Sequence, residues 1–133
     1  MAFITIQLQD MMKKILAVIT IFFATISLTS AKETTYKKEL FDKALADGKV
    51  VVVSSWIKYC TSCASQMKVL DKAKNDFENI EYFTFDVTNK EIAEFFDIQY
   101  QTTLLIFKDN KEVYRSIGET TKELIYDALN SVI

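Results

Sequence analysis

The stretch that most limits how this chain can fold is Ser54-Ser55-Trp56-Ile57-Lys58-Tyr59-Cys60-Thr61-Ser62-Cys63. Ahead of it runs Val50-Val51-Val52-Val53, apolar at every position, which reads as a strand (Val50 to Ser55) covered on both faces. Behind it, Cys63, Met67, Leu70 and Phe77 recur at helical spacing, with Lys68, Asp71, Lys72 and Asp76 on the opposite side. The two cysteines, the only ones in the chain, therefore sit where a buried strand gives way to a helix. Dithiol–disulfide chemistry is commonly built that way.

The motif alone leaves three readings open: redox, metal-binding and structural. As a staple it is poorly placed, because a four-residue ring removes little entropy from the unfolded chain. There is no histidine, so two cysteines leave a tetrahedral zinc site half empty. The metal reading that remains is a soft Cu(I) site of Cys60, Cys63 and Met67, since thiolate and thioether ligands suit that ion. The lack of histidine also removes the usual general base and any Cys–His pair. A net charge of −2 with no basic run argues against nucleic acid as a partner.

With 133 residues, one domain of ordinary core size is expected. Thr34 or Thr35 is expected to cap a helix reaching about Asp47, with Leu40, Phe41, Ala44 and Leu45 on one face and Gly48 ending it. Ile80 to Asp86 is rich in strand formers. Thr88 or Asn89 then caps a short helix with Ile92, Ala93, Phe95 and Phe96 inward. Thr103 to Phe107 and Glu112 to Ile117 form a hairpin about Asp109-Asn110. Gly118 follows, and Thr120 or Thr121 starts a last helix with Leu124, Ile125, Ala128, Leu129 and Val132 on one side. The order α-β-α-β-α-β-β-α predicts an α/β domain. Its central four-stranded mixed sheet, a parallel part plus a C-terminal antiparallel hairpin, is flanked by about four helices.

Residues 1–31 are expected to be a signal peptide and 32–133 the domain, with a polar lead-in over Lys32 to Thr35. Lys13-Lys14 precede an uncharged run whose apolar heart spans about 14 residues, and Thr29-Ser30-Ala31 offers small residues for cleavage. Met11 or Met12 provides a later start. An uncleaved N-terminal membrane anchor is the alternative, though a spanning helix usually needs ~20 apolar residues. Export puts the cysteines where disulfides persist. The Lys-, Ile- and Phe-rich composition, free of His and Pro, suggests an AT-rich genome and hence a bacterial periplasm.

The order of elements, with C-x-x-C at the first strand–helix junction, resembles the thioredoxin fold over nearly all of residues 35–133. Trp56, four residues before the first cysteine, and Tyr59, directly before it, stand where that superfamily has aromatic residues. Thr102-Thr103-Leu104-Leu105-Ile106-Phe107-Lys108 is similar to its Pro-Thr-apolar strand with a following lysine, and Gly118 to its glycine after the hairpin. The leader and Asp86-Val87-Thr88 further resemble the C-terminal domain of periplasmic thiol–disulfide interchange reductases. Three positions depart. Thr61-Ser62 replaces Gly-Pro between the cysteines, Thr102 replaces a cis-proline, and Ser54 stands where many thioredoxins bury an aspartate.

The resemblance implies an exported thiol–disulfide oxidoreductase whose only redox group is the Cys60–Cys63 disulfide, with no other cofactor. Its expected partners are protein thiols or disulfides and a membrane electron donor, and the protein is expected to be a monomer. Cys60, at the start of a helix, is the expected nucleophile, because free backbone N–H groups and the macrodipole favour its thiolate. Cys63, one turn in on the buried stripe, is expected to resolve the mixed disulfide. Trp56, Tyr59, Gln101 and Thr102 are the expected substrate groove. The Gln101–Thr102 bond is either cis, which the unchanged family spacing around it favours, or trans with a different groove. The alternative function is a non-catalytic thiol module that binds Cu(I) or a partner protein.

Overall fold

The computed structural model describes residues 2–24 and 34–133. The chain divides into two units, Met1–Lys32 and Glu33–Ile133. The first contributes helix α1 (Ala2–Ala24). No helix among the described residues is long and apolar enough to cross a membrane. The expected cleavage point, Thr29-Ser30-Ala31, lies outside the described residues.

The second unit is built of α2 (Lys38–Ala46), β1 (Val50–Trp56), α3 (Thr61–Asp76), β2 (Ile80–Asp86), α4 (Lys90–Phe95), β3 (Thr103–Lys108), β4 (Lys111–Ile117) and α5 (Lys122–Asn130). The sheet order is β2-β1-β3-β4. β1 runs parallel to β2 and antiparallel to β3, and β3 pairs antiparallel with β4. This is the mixed four-stranded sheet that the element order predicts. Asp109 and Asn110 take φ of 51° and 62°, the positive values that a tight hairpin turn requires and that short polar side chains tolerate.

Alternation along β1 divides the core in two, since successive strand residues point to opposite faces. Val50 and Val52 pack with Leu70, Tyr82, Leu104, Ile106, Ile125 and Leu129 on the α3/α5 side. Val51 and Val53 pack with Phe41, Phe83, Phe85, Phe96 and Leu105 on the α2/α4 side. With both faces covered, the end of β1 is held rigidly, and that end carries the cysteines.

The helix faces are narrower than the periodicity predicts. Leu40, Phe95 and Leu124 are exposed, because Phe41, Phe96 and Ile125 beside them occupy the inner arc. Phe95 still meets the Phe96 ring edge-on at 4.8 Å. Neither Thr34 nor Thr35 caps α2: the helix starts at Lys38, with Lys37 at the cap position. The segment serves the sheet instead. Thr35 bridges Thr84 of β2, and the Tyr36 N–H donates to Thr84 O at 2.8 Å. Asn89 does cap α4, its side chain accepting the Ile92 N–H.

Candidate active site

β1 ends at Trp56, and one turn at Lys58-Tyr59 brings the chain to α3. Tyr59 makes the corner with φ +62° and a fully exposed side chain. That left-handed conformation costs a non-glycine residue about 1–3 kcal/mol, and it sits directly before Cys60. Cys60 occupies the N-cap position of α3, its sulfur 3.2 Å from the Cys63 N–H that donates to it. A thiolate there gains a backbone hydrogen bond and the positive end of the helix dipole. Cys60 is partly exposed, whereas Cys63 is 2% exposed. Their sulfurs form a disulfide with the Cα atoms 5.3 Å apart. One sulfur faces outward and its partner lies behind it.

Outside the disulfide lies an open groove of about 670 Å³ lined by Trp56, Ile57, Lys58, Tyr59, Cys60, Thr61, Cys63, Ala64 and Met67. Trp56 and Tyr59, expected from the sequence to form a groove, thus flank the cysteines. Gln101 is exposed and does not line it. Met67, expected on the buried stripe, is only half-buried and shares the groove with both cysteines. Among the described residues, no cluster of three or more His, Cys, Asp or Glu side chains is arranged to hold a metal.

Thr102 closes the other side. The Gln101–Thr102 bond is trans, correcting the cis geometry that the family spacing favours. Without the proline ring, a cis bond costs ~2.5–4 kcal/mol relative to trans. Thr102 turns the chain by another route, with φ +58°. A β-branched residue rarely takes that angle, and the surroundings hold it there. Its N–H donates to Ser55 O at 2.9 Å, and its carbonyl accepts from Gly118 N at 2.9 Å and from Gln66 Nε2 at 3.1 Å. Ser55 Oγ also donates to Tyr100 O and accepts the Thr103 N–H. The side chain, 2% exposed, places Oγ1 3.2 Å from Cys63 Sγ, 3.6 Å from Cys60 Sγ and 2.9 Å from Ser62 Oγ.

Ser55, Ser62, Gln66 and Tyr100 escape sequence reasoning. Gln66 is the most instructive. It is wholly buried, and besides Thr102 O it holds Glu119 O at 2.8 Å. The buried stripe of α3 is Cys63, Gln66, Leu70 and Ala73, not Cys63, Met67, Leu70 and Phe77. A polar residue three positions after Cys63 is the one signal that could have located it.

Ser54 is also fully buried, its Oγ 2.9 Å from the Tyr82 hydroxyl. Burial pushes the Tyr82 phenol up from its ordinary value, so the pair stays neutral. Ser54→Asp would put a carboxylate there. Faster decay of the Cys60 mixed disulfide is expected, because a base then stands ready for the Cys63 proton. Burial raises an aspartate above its unfolded value of about 3.9. The variant should therefore lose stability as pH climbs from that value through the folded-state one. Mixed-disulfide lifetimes and urea midpoints at acid and neutral pH check both. An unchanged lifetime would mean that Cys63 needs no base at this position.

A family model described as Thioredoxin matches residues 31–131. The chain is 30% identical over 112 residues to the thioredoxin of Mycobacterium tuberculosis, covering 83% of this chain and 90% of that protein. To thioredoxin-1 of Saccharomyces cerevisiae it is 29% identical over 79 residues, covering 59% of this chain and 77% of the relative. Among solved structures, Trxlp of Edwardsiella tarda matches with a TM-score of 0.65 at 28% identity, over 70% of this chain and 93% of that one.

Proposed function

The chain belongs to the thioredoxin family, and on that premise we propose that it exchanges disulfides with protein substrates through Cys60 and Cys63. One observation carries the reading: a disulfide whose outer sulfur caps a helix in an open groove, with its partner buried one turn behind. In the reducing direction the Cys60 thiolate attacks a substrate disulfide. A mixed disulfide forms, and Cys63 then displaces the substrate sulfur from Cys60. Oxidation is the same path reversed. Trp56 and Tyr59 offer apolar surface to a substrate chain beside the reacting sulfur, and the Tyr100–Thr103 loop borders the dithiol opposite them.

The proposal extends to location. Lys13-Lys14 and the apolar run after them support export of the domain to a periplasm, where a membrane donor would supply electrons. The reduced protein is expected to cleave a small disulfide-bonded protein catalytically and to be re-reduced by an added dithiol. Absence of exchange, with Cu(I) shielding both thiols from alkylation, would favour the thiol-module alternative, for which Met67 in the same groove speaks.

A further inference from the structure

When Cys63 resolves a mixed disulfide, its thiol must give up a proton. The chain has no histidine, and Ser54, which stands where many thioredoxins bury an aspartate, is engaged with Tyr82. Neither hydroxyl of that pair is a base at neutral pH. A second pair of hydroxyls lies beside the sulfurs. Thr102 Oγ1 is 3.2 Å from Cys63 Sγ, and Ser62 Oγ is 2.9 Å farther along. Thr102 is buried and Ser62 is exposed. The Thr102 N–H donating to Ser55 O, and its carbonyl accepting from Gly118 N and the Gln66 side chain, fix the position from which the Thr102 hydroxyl reaches the sulfurs.

We propose that Thr102 and Ser62 form a two-hydroxyl relay that carries the Cys63 proton from the buried side of the dithiol to the surface. The proposal rests on the exchange chemistry above only in requiring that Cys60 form a mixed disulfide. As Cys63 attacks, its proton passes to Thr102 Oγ1 while the Thr102 proton passes to Ser62 Oγ. The Ser62 proton leaves to water or to the departing sulfur. Ser62 Oγ is 3.4 Å from Cys60 Sγ, beside the bond that breaks. The Cys63 electron pair makes the new Cys60–Cys63 bond. The pair of the broken bond leaves on the substrate sulfur, which takes up one proton and departs as a thiol. The dithiol is oxidised and that half of the substrate reduced. Both hydroxyls end with one proton each, as they began.

The test uses glutathione disulfide as the probe, with the reduced protein in rapid mixing. A first phase reports attack by Cys60, and a second reports release of the remaining glutathione by Cys63. Thr102→Val keeps the shape and removes the hydroxyl. It is expected to slow the second phase about tenfold or more, a modest share of what positioned proton transfer contributes, and to change the first, where the hydroxyl lies 3.6 Å from Cys60 Sγ, by a clearly smaller factor. The second phase should also become steeply pH-dependent, since hydroxide must then take the proton. Thr102→Ser should restore the wild-type rate and profile, and Ser62→Ala, at the surface, should slow the second phase on its own. A wild-type second phase in Thr102→Val, or one equally slow in Thr102→Ser, would overturn the relay. Should Thr102→Val fail to fold, an unchanged second phase in Ser62→Ala overturns it. Both phases are read without a protein substrate. Intact phases with no exchange on protein disulfides would therefore refute the functional reading and leave the relay standing.

Discussion

Cys60→Ala is expected to abolish disulfide exchange, and Cys63→Ala to keep the first attack and stall after it. The asymmetry follows from position. Cys60 is the sulfur at the helix N-cap and the more exposed of the two, so its loss removes the nucleophile. Deleting the reacting group of a covalent mechanism costs about a thousandfold or more. Cys63 is buried and meets substrate only through Cys60. Without it, Cys60 should still form a mixed disulfide, which then accumulates until an external thiol cleaves it. Non-reducing electrophoresis after mixing with a disulfide-bonded protein separates the two variants. A stable adduct with Cys60→Ala, and none with Cys63→Ala, would invert the assignment. In the native compartment the trapped adduct also identifies the physiological substrate.

Gln66→Ala is expected to cost about 3 kcal/mol, from two buried hydrogen bonds lost and a cavity left behind. In the 100-residue domain that corresponds to roughly 10–20 °C in melting temperature. Thr102 O retains the Gly118 donor, whereas Glu119 O loses its Gln66 partner. The Tyr100–Thr103 loop should therefore loosen without detaching, and exchange should slow severalfold while the dithiol persists. Gln66→Leu sharpens the measurement. Gln66 Oε1 is buried without a partner, so leucine removes an orphan acceptor and fills most of the space, and it should cost less than alanine. Thermal melts of the three proteins decide. An alanine variant melting with the wild type would show that the buried amide ties nothing down.

Much of this arrangement was legible beforehand, and the exceptions share a cause. Val50 to Val53, the Asp109-Asn110 turn and the C-x-x-C junction are local signals, each complete within a few residues, and they gave the sheet, the hairpin and the dithiol. Gln66 was unreadable because its partners, Thr102 and Glu119, lie 36 and 53 residues away. A polar side chain on a helix looks solvent-facing until its acceptors are known. Thr102 stands out in the sequence as a departure from the family, whose spacing favours a cis bond where the structure has a trans one. Family spacing describes where the chain must pass, not which dihedral takes it there. Periodicity places Leu40, Phe95 and Leu124 inward, although they are exposed, because it marks an apolar arc without giving its width.

The span between Thr102 and the cysteines also bears on how the site comes into being. Cys60 and Cys63 are three residues apart, so one helical turn brings them together. The hydroxyl facing them arrives across 39 and 42 residues, after β3 has found β1. Long-range closure of that kind carries the larger entropy cost and comes later in folding. During folding the two thiols thus meet each other before they meet Thr102. A newly made chain can close its disulfide early, but the Thr102 hydroxyl takes its place beside the sulfurs only when the hairpin docks.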